Sequence, residues 1–554
     1  MQQLIECVPN FSEGRDLTII KGITDQISSV AGVQLLDVDP GAATNRTVVT
    51  MAGSPEAVLE AAFRAIKQAK ATIDMRHHKG EHPRFGATDV CPIIPISGVT
   101  MEQAAEYARQ LAERVARELN YPVYLYEAAA SSPARRNLAD VRSGEYEGLA
   151  NKLSKPDWKP DFGPATFVPE TGSTAIGARD FLIALNFNLN TTSTRRANAV
   201  AFDVREAGRL IKEKQPDGTI TEIRQPGTLK AAKAIGWLIE EYGIAQVSMN
   251  LTNISITSVH EAFDAVVASA TARGLRVTGT EIVGLVPLSV LTDAGRHYLR
   301  KQERSVGVSD AELIKIAVKS MGLDDLKPFD PAKKVLEYLL ADPKQSRLVN
   351  MTVADFVNET SSESPAPGGG SVSAVLGSLA AALSNMVANL SSHKRGWDDQ
   401  WSYFSDIADQ GMALQKQLIA LVDEDTRSFE LVMEAFGLPK STPDEKAQRK
   451  QAIAEATLYA TQIPLRVMET SLATMPLLAA MAERGNPNSV SDAGVGVLCA
   501  RAAVRGAGLN VRINAAGLDQ TDPTVIEILA RATALEQAAA DHETAIMDVV
   551  MGKV

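Results

Sequence analysis

The hydrophobic period of this chain changes once, near residue 340, and the change divides it into two architectures. Before it, short β-branched runs (LIECVPNF, VQLLDVDP, RTVVTMAG, DVCPIIPIS, VYLYEAAA) alternate with helical patterns such as SPEAVLEAAFRAIKQAKATI and MEQAAEYARQLAERVAREL. A period of two buries one face of a strand and a period of 3.6 buries one stripe of a helix, so the alternation predicts α/β layers. The first of these helices opens on Ser54 and Pro55, an N-cap followed by a residue with no N–H to leave unsatisfied. Residues 150–178 carry few signals of either kind and read as a loop. The alternation resumes with RDFLIALNFNL, a helix around 198–213, TEIRQ, a helix near 229–242, AQVSMNLTN, a helix near 258–273 and RVTGTEIVGLVPL. Two similar layers joined by the loop are the simplest arrangement, with a ligand expected in the cleft between them.

Beyond residue 340 only helical patterns remain, over 371–392, 398–436, 443–483, 490–516 and 524–550, broken by LPKSTPDEK, RGNPNS and AGLDQTDP. The expected fold is therefore multidomain: two ferredoxin-like-type α/β subdomains, 1–178 and 179–340, a linker at 341–348, and an all-α up-and-down helical bundle at 349–554.

Composition narrows the function. A net charge of −11 argues against a broad basic surface, so no nucleic acid partner is expected. Cys7, Cys91 and Cys499 lie far apart, which predicts no disulfide framework and fits a reducing cytoplasm. MQQLIECVPNFSEGRD lacks the basic and apolar regions of a signal peptide. The nearest approach to a membrane span, residues 371–390, holds four Ser and two Asn and reads as a buried helix packed through small residues, so no membrane is expected.

Three of the seven histidines fall in HHKGEHPRFGATDV, residues 77–90. As zinc ligands they lack helical spacing and a further ligand in sequence, so no metal is expected. As a plain polar loop they need no explanation. As a proton-transfer site they are well accompanied: Pro83 fixes the backbone beside His82, Arg84 can hold a carboxylate bidentately, and Asp89 can orient an imidazole. In DVDPGAATNRTVVT, Asp39, Asn45 and Arg46 would present hydrogen-bonding groups at a sheet edge, or simply form a hairpin turn.

VPNFSEGRD, LLDVD with TNRTV, EHPRFGATDVCP, FGPATFVPETGSTAIGARDFLIALNFNL, VSMNLT and EIVGLVPL follow one another over about 330 residues. Together they resemble the glutamate formimidoyltransferase family. That resemblance implies transfer of a formimino group from N-formiminoglutamate to tetrahydrofolate in histidine degradation. His82 matches the family's catalytic histidine. Asp161, Phe162, Gly163, Pro164, Ala165, Thr166, Phe167, Val168, Pro169, Glu170, Thr171 and Gly172 match its folate-binding stretch. Physically, one group must take a proton from the attacking amine and return one to the leaving glutamate amine, which suits an imidazole. Glutamate's two carboxylates call for arginine, and Arg46 and Arg84 are the candidates; His77 and His78 are left as loop residues or minor contacts.

In the second half, Gly368, Gly369, Gly370 and Ser371 open a helix and let backbone amides approach an anion or carboxylate; with no following GK[ST], a nucleotide is not indicated. In LQKQLIALVDEDTRSFELVM, Leu414, Leu418, Leu421, Val422, Phe429, Val432 and Met433 form an apolar stripe. Asp425 falls on it, Asp423 at its margin, and Glu424 away from it. A carboxylate on an inward face needs a partner or keeps its proton, which suits a general acid or simply a hydrogen-bonded core residue. Asn510 and Asn514, one turn apart with Asp492 near the helix start, can read a planar heterocycle or bond a neighbouring helix. APGGGSVSA, LVDEDTRSF, GNPNSVSDAGVG and GLNVRIN resemble the formimidoyltetrahydrofolate cyclodeaminase family over about 350–554, where Asp425 matches the catalytic Asp.

The order of the halves resembles the bifunctional family that fuses them. It implies closure of the formimino group to 5,10-methenyltetrahydrofolate with loss of ammonia, a polyglutamylated tetrahydrofolate as substrate, and a ring-shaped homo-oligomer. The alternatives are a changed donor (formylglutamate or 5-formyltetrahydrofolate), a non-catalytic folate-binding or scaffolding protein, and a metal-dependent hydrolase built on the histidines.

Overall fold

The computed structural model describes residues 3–42, 44–80, 83–214, 220–341 and 347–554. They form two compact units: Met1–Val290 with Met321–Leu340, and Leu291–Ser320 with Ala341–Val554. The segment 291–320 therefore packs with the helical unit, which differs from a boundary near 340. Val306 N–H donates to Ser405 Oγ at 3.1 Å, and Asn389 Nδ2 donates to the Gly307 carbonyl at 2.9 Å. Its helical period says nothing about which core receives its apolar face. Of the linker 341–348, residues 342–346 lie outside the described residues.

The first unit holds β1 (Leu4–Cys7), β2 (Asn10–Phe11), α1 (Leu17–Ser28), β3 (Val33–Gly41), β4 (Arg46–Gly53), α2 (Pro55–Thr72), β5 (Thr88–Ser97), α3 (Met101–Leu119), β6 (Val123–Glu127), α4 (Leu138–Val141), α5 (Glu145–Leu153) and β7 (Thr174–Ala178). In the sheet, β3 flanks β4; β1 and β2 lie one after the other between β4 and β5; β7 and β6 follow as parallel neighbours. The core takes Ile23 and Ile27 from α1, Val58, Ala62 and Ile66 from α2, and Ala108, Leu111 and Val115 from α3. Each fully buried Ile or Leu there contributes roughly 1.5–3 kcal/mol. A second apolar cluster joins Phe85, Val90, Tyr124 and Tyr126 to Val141, Leu149 and Leu153 of α4 and α5.

Next come β8 (Ile183–Leu189), α6 (Thr194–Val204), β9 (Arg209–Lys214), β10 (Ile220–Gln225), β11 (Ala232–Ile239), β12 (Ile244–Leu251), α7 (Val259–Ala272) and β13 (Val277–Val283). The order β11-β12-β8-β13 is antiparallel throughout, and β9 and β10 form a separate hairpin.

Three sequence readings fail here. The helix expected around 198–213 stops at Val204, and 209–214 is a strand. The helix expected near 229–242 is β11, which alternates with a period of two but turns small residues inward, Ala232, Ala234 and Gly236. A Cβ on Gly236 would lie 2.2 Å from the Asn198 N of α6, so the helix can approach only a bare strand. The loop read over 150–178 contains β7, a fully buried strand of sequence TAIGA in which two alanines and a glycine dilute the strand preference of Thr174 and Ile176. By contrast, α2 does start at Pro55, although Ser54 makes no side-chain cap bond.

Then follow α8 (Leu288–Lys301), α9 (Asp310–Met321), α10 (Pro331–Lys334), α11 (Leu336–Leu340) and α12 (Val353–Thr360). The bundle proper is α13 (Gly369–Ser392), α14 (Trp401–Gly437), α15 (Pro443–Arg484), α16 (Val490–Ala515) and α17 (Pro523–Met551). Helix α13 is long and apolar enough to cross a bilayer, but Ala374, Gly377, Ala380, Ala381, Val387 and Ala388 are buried in the bundle. On α14 the inward line runs through Leu418, Leu421, Val422, Ser428 and Ala435; Phe429 and Met433, expected on the apolar stripe, are exposed.

Candidate active sites

The histidine loop joins α2 to β5. His82 and Glu81 lie outside the described residues, but both flanks of that pair are tied by side chains. On one side Asn45 Nδ2 donates to the Lys79 carbonyl at 3.0 Å, while its Oδ1 accepts from Gly14 N–H at 3.0 Å. On the other, Arg142 Nη2 donates to the Pro83 carbonyl at 2.7 Å. His78 is buried, with Nε2 2.7 Å from the Asn45 carbonyl, so Nε2 carries the proton; burial holds its pKa below the ordinary value and the ring stays neutral. His77 is exposed.

Asn45 sits in the left-handed region at φ 48°, where a short polar side chain is tolerated and alanine is strained. Asn45→Ala loses two side-chain bonds and gains that strain, so about 2–4 kcal/mol of stability should disappear in denaturant unfolding. Asn45→Gly, free of the strain, should cost about 1–2 kcal/mol less; equal losses would show that the bonds alone matter.

Arg46 and Arg84, the candidates for holding glutamate, direct their donors at the protein. Arg46 Nη2 donates to Asn10 Oδ1 at 2.6 Å, and Nη1 pairs with Asp89 Oδ2 at 2.6 Å. Arg84 pairs with Glu147 Oε1 at 2.6 Å, donates to the Met75 and His78 carbonyls, and lies 4.6 Å from the Tyr146 ring centre. Asp39 is exposed on the edge strand β3, in register with Val48, and Val48 is in register with Asn10. It therefore shares the sheet face that carries Asn10.

The stretch 161–172 lies against the histidine loop. Met75 N–H donates to the Glu170 carbonyl at 2.9 Å, Ala87 N–H to Thr171 at 2.8 Å, and Ser173 N–H to Phe85 at 3.2 Å. Arg76 pairs with Glu170 at 2.9 Å. Tyr146 reaches the Pro169 carbonyl with its hydroxyl and packs on Phe167. Asp161 is anchored by Arg135 at 2.7 Å and by the Leu125 N–H. Between these anchors Gly163, Ala165 and Thr166 are exposed, Phe162, Pro164 and Val168 partly so, and Gly172 is buried. The loop and this stretch thus form one surface.

In the helical unit, the glycines and Asp425 meet. Ser371 Oγ donates to Asp425 Oδ2 at 3.0 Å, and the Ser371 backbone N–H faces the same carboxylate. A Cβ on Gly370 would lie 2.1 Å from Asp425 Oδ1, and one on Gly369 would lie 3.2 Å from Asn510 Nδ2. The first turn of α13, from its N-cap Gly368, therefore receives the chain's own carboxylate. Burial raises the Asp425 pKa above the ordinary aspartate value, against the two Ser371 bonds that lower it. Asn510 Nδ2 donates to the Gly506 carbonyl at 2.9 Å, so the amide lies edge-on to Gly369, with Nδ2 nearer the glycine than Oδ1; Asn514 bonds the Ala460 carbonyl of α15 at 2.7 Å. Asp423 accepts from the Leu348 and Val349 amides. Glu424, expected to face away, is half-buried and accepts from the Tyr459 hydroxyl because α15 packs on that side of α14. Burial and then Glu424 push Tyr459 up to about 12.

Arg142, Tyr146, Glu147 and Tyr459 were not singled out from sequence. Each works on a residue between 23 and 63 positions away, beyond the reach of any periodicity.

Residues 4–179 match the formiminotransferase domain, N-terminal subdomain; residues 184–341 match the formiminotransferase domain; residues 352–533 match formiminotransferase-cyclodeaminase. The chain is 44% identical over 516 residues to formimidoyltransferase-cyclodeaminase of Mus musculus, covering 93% of each. It is 41% identical over 303 residues to glutamate formimidoyltransferase of Streptococcus pyogenes serotype M1, covering 55% of this chain and 95% of that one. It is 39% identical over 170 residues to methenyltetrahydrofolate cyclohydrolase of Methylorubrum extorquens, covering 31% of this chain and 82% of that one. The chain belongs to the formimidoyltransferase-cyclodeaminase family of bifunctional folate enzymes.

Proposed function

We propose that this chain transfers the formimino group of N-formiminoglutamate to tetrahydrofolate and then closes the product to 5,10-methenyltetrahydrofolate with release of ammonia. The observation that carries the reading is the pairing of two built sites on a chain 44% identical to a bifunctional relative: the braced histidine loop against 161–172, and a half-buried Asp425 in a glycine turn. In the first reaction His82 takes the proton of the attacking folate amine and returns one to the leaving glutamate amine. The stretch 161–172 holds the folate, and Asp39 lies within reach of the same sheet face. Because Arg46 and Arg84 are engaged by Asp89 and Glu147, their service to the glutamate carboxylates requires exchange of partners.

In the second reaction Asp425, whose protonated form burial favours, gives a proton to the departing ammonia, while Asn510 contacts the pterin; Asn514 braces α15. Transferase residues 1–340 and cyclodeaminase residues 349–554 on one chain raise the local concentration of the intermediate. The reading includes a polyglutamylated folate, a cytoplasmic location supported by three free thiols, and a homo-oligomer supported by the exposed line Val495, Leu498, Leu509 and Ile513 on α16.

The test supplies purified chain with tetrahydrofolate and N-formiminoglutamate and follows the methenyl chromophore and ammonia together. Both should appear in equal amounts; neither appearing sinks the reading, and product from N-formylglutamate alone would establish a changed donor. Similarity to a methenyltetrahydrofolate cyclohydrolase supports a second reading, addition of water to the methenyl bridge to give a formyl folate. Decay of the chromophore at the buffer rate would remove it.

A further inference from the structure

We propose that Arg142 is a positioning residue for the loop that carries His82, an inference that rests on the transferase reading above. Proline has no N–H, so Pro83 itself can be held from outside by a backbone hydrogen bond only at its carbonyl. The Pro83 carbonyl accepts from Arg142 Nη2 at 2.7 Å, and the same nitrogen lies 2.9 Å from Asp89 Oδ2. Asp89 is 1% exposed and also receives Arg46 at 2.6 Å, so one carboxylate at the head of β5 locks two guanidinium groups. Arg142 itself is fixed by its backbone: it caps α4, its N–H donating to the Leu138 carbonyl at 2.9 Å.

The brace is therefore rigid at both ends, from a helix cap on one side to a buried strand carboxylate on the other. The fixed φ of Pro83 restricts the chain on its N-terminal side once that carbonyl is held. Asn45 performs the matching task at Lys79, and Arg84 closes the loop on itself through the Met75 and His78 carbonyls. Among these anchors Arg142 is the one that bonds the residue next to His82. Loss of the brace releases the Pro83 end of the loop, and displacement of about 1 Å at a reacting group costs about 10²-fold in rate.

Arg142→Gln and Arg142→Lys are made in the full chain and assayed for transfer. Cyclodeamination of supplied 5-formiminotetrahydrofolate on the same molecules reports folding of the preparation. Arg142→Gln should lower the kcat of transfer about 10–100-fold with the KM for tetrahydrofolate within about 2-fold, because the brace sets geometry rather than affinity. Arg142→Lys, which keeps the charge and one of the two bonds, should recover part of the loss. Hydrogen exchange should quicken at the amides of 84–88 in Arg142→Gln and stay unchanged in β4. Unchanged kcat in both variants overturns the proposal. So does a parallel fall in kcat, folate affinity and unfolding midpoint in both, which marks a merely structural arginine. A wild-type chain that transfers no formimino group sinks the transferase reading itself, whereas an active wild type with an equally active Arg142→Gln sinks only the brace.

Discussion

Asp425→Asn is expected to stop the full chain halfway: tetrahydrofolate is consumed, formimino-folate accumulates, and ammonia release falls about 10²–10⁴-fold, the range a positioned general acid supplies. His82→Ala should do the reverse, failing to transfer yet deaminating supplied 5-formiminotetrahydrofolate. Asparagine preserves an oxygen for the Ser371 hydroxyl and backbone N–H, so the loss reads the proton and not the packing. Stability should move the other way. Burial lifts the folded carboxyl above the ordinary aspartate value. Below that ordinary value the group is protonated whether the chain is folded or not. As pH rises toward the lifted value, the unfolded chain gives up its proton first, so the folded chain loses stability across that window. Asp425→Asn has no such slope. Denaturant unfolding at about pH 4 and about pH 7 should show the variant gaining on wild type at the higher pH. Identical pH dependence of the two proteins would mean that Asp425 is not the strained acid described here.

What could be read in advance divides along the same physical line. The bundle helices fall within three residues of their predicted limits: 371–392 against Gly369–Ser392, 443–483 against Pro443–Arg484. Long patterns with clear breakers average out local ambiguity. Strands β7 and β11 escape the pattern because they bury mainly Ala and Gly, residues whose identity reflects the close approach of a neighbour and not any preference for strand. The same limit applies at the sites. Asp425 was legible because it stands on an inward helical face, and Asn45 because a turn needed it. Glu424 was misread because the face it occupies is covered by α15, and which helix lies alongside is decided by the whole bundle. Arg142 carried no signal: its partner Pro83 is 59 positions away, and only the folded chain brings α4 to the loop.

Gly370→Ala should separate stability from function most sharply. Alanine is the better helix former, by roughly 0.5–1 kcal/mol over glycine within a helix. The added methyl, however, would lie 2.1 Å from Asp425 Oδ1, 2.5 Å from Cγ and 2.6 Å from Oδ2. All three atoms belong to the end of a side chain that can swing aside, so the clash is relieved cheaply by moving the carboxylate. The unfolding free energy should therefore change by no more than about 1 kcal/mol. Ammonia release should fall at least about 10²-fold, because an acid displaced by an ångström no longer meets the leaving amine. Transfer should proceed at the wild-type rate. Gly369→Ala supplies the comparison: its methyl would meet Asn510 Nδ2 at 3.2 Å, a contact that a small shift relieves, and it leaves Asp425 in place. That variant should raise the KM for formimino-folate and largely spare kcat. If Gly370→Ala, folded, releases ammonia at the wild-type rate, the carboxylate need not occupy the glycine turn, and the proton must come from elsewhere. If both variants lose kcat equally, the turn acts through its backbone amides and not through the seat it gives Asp425.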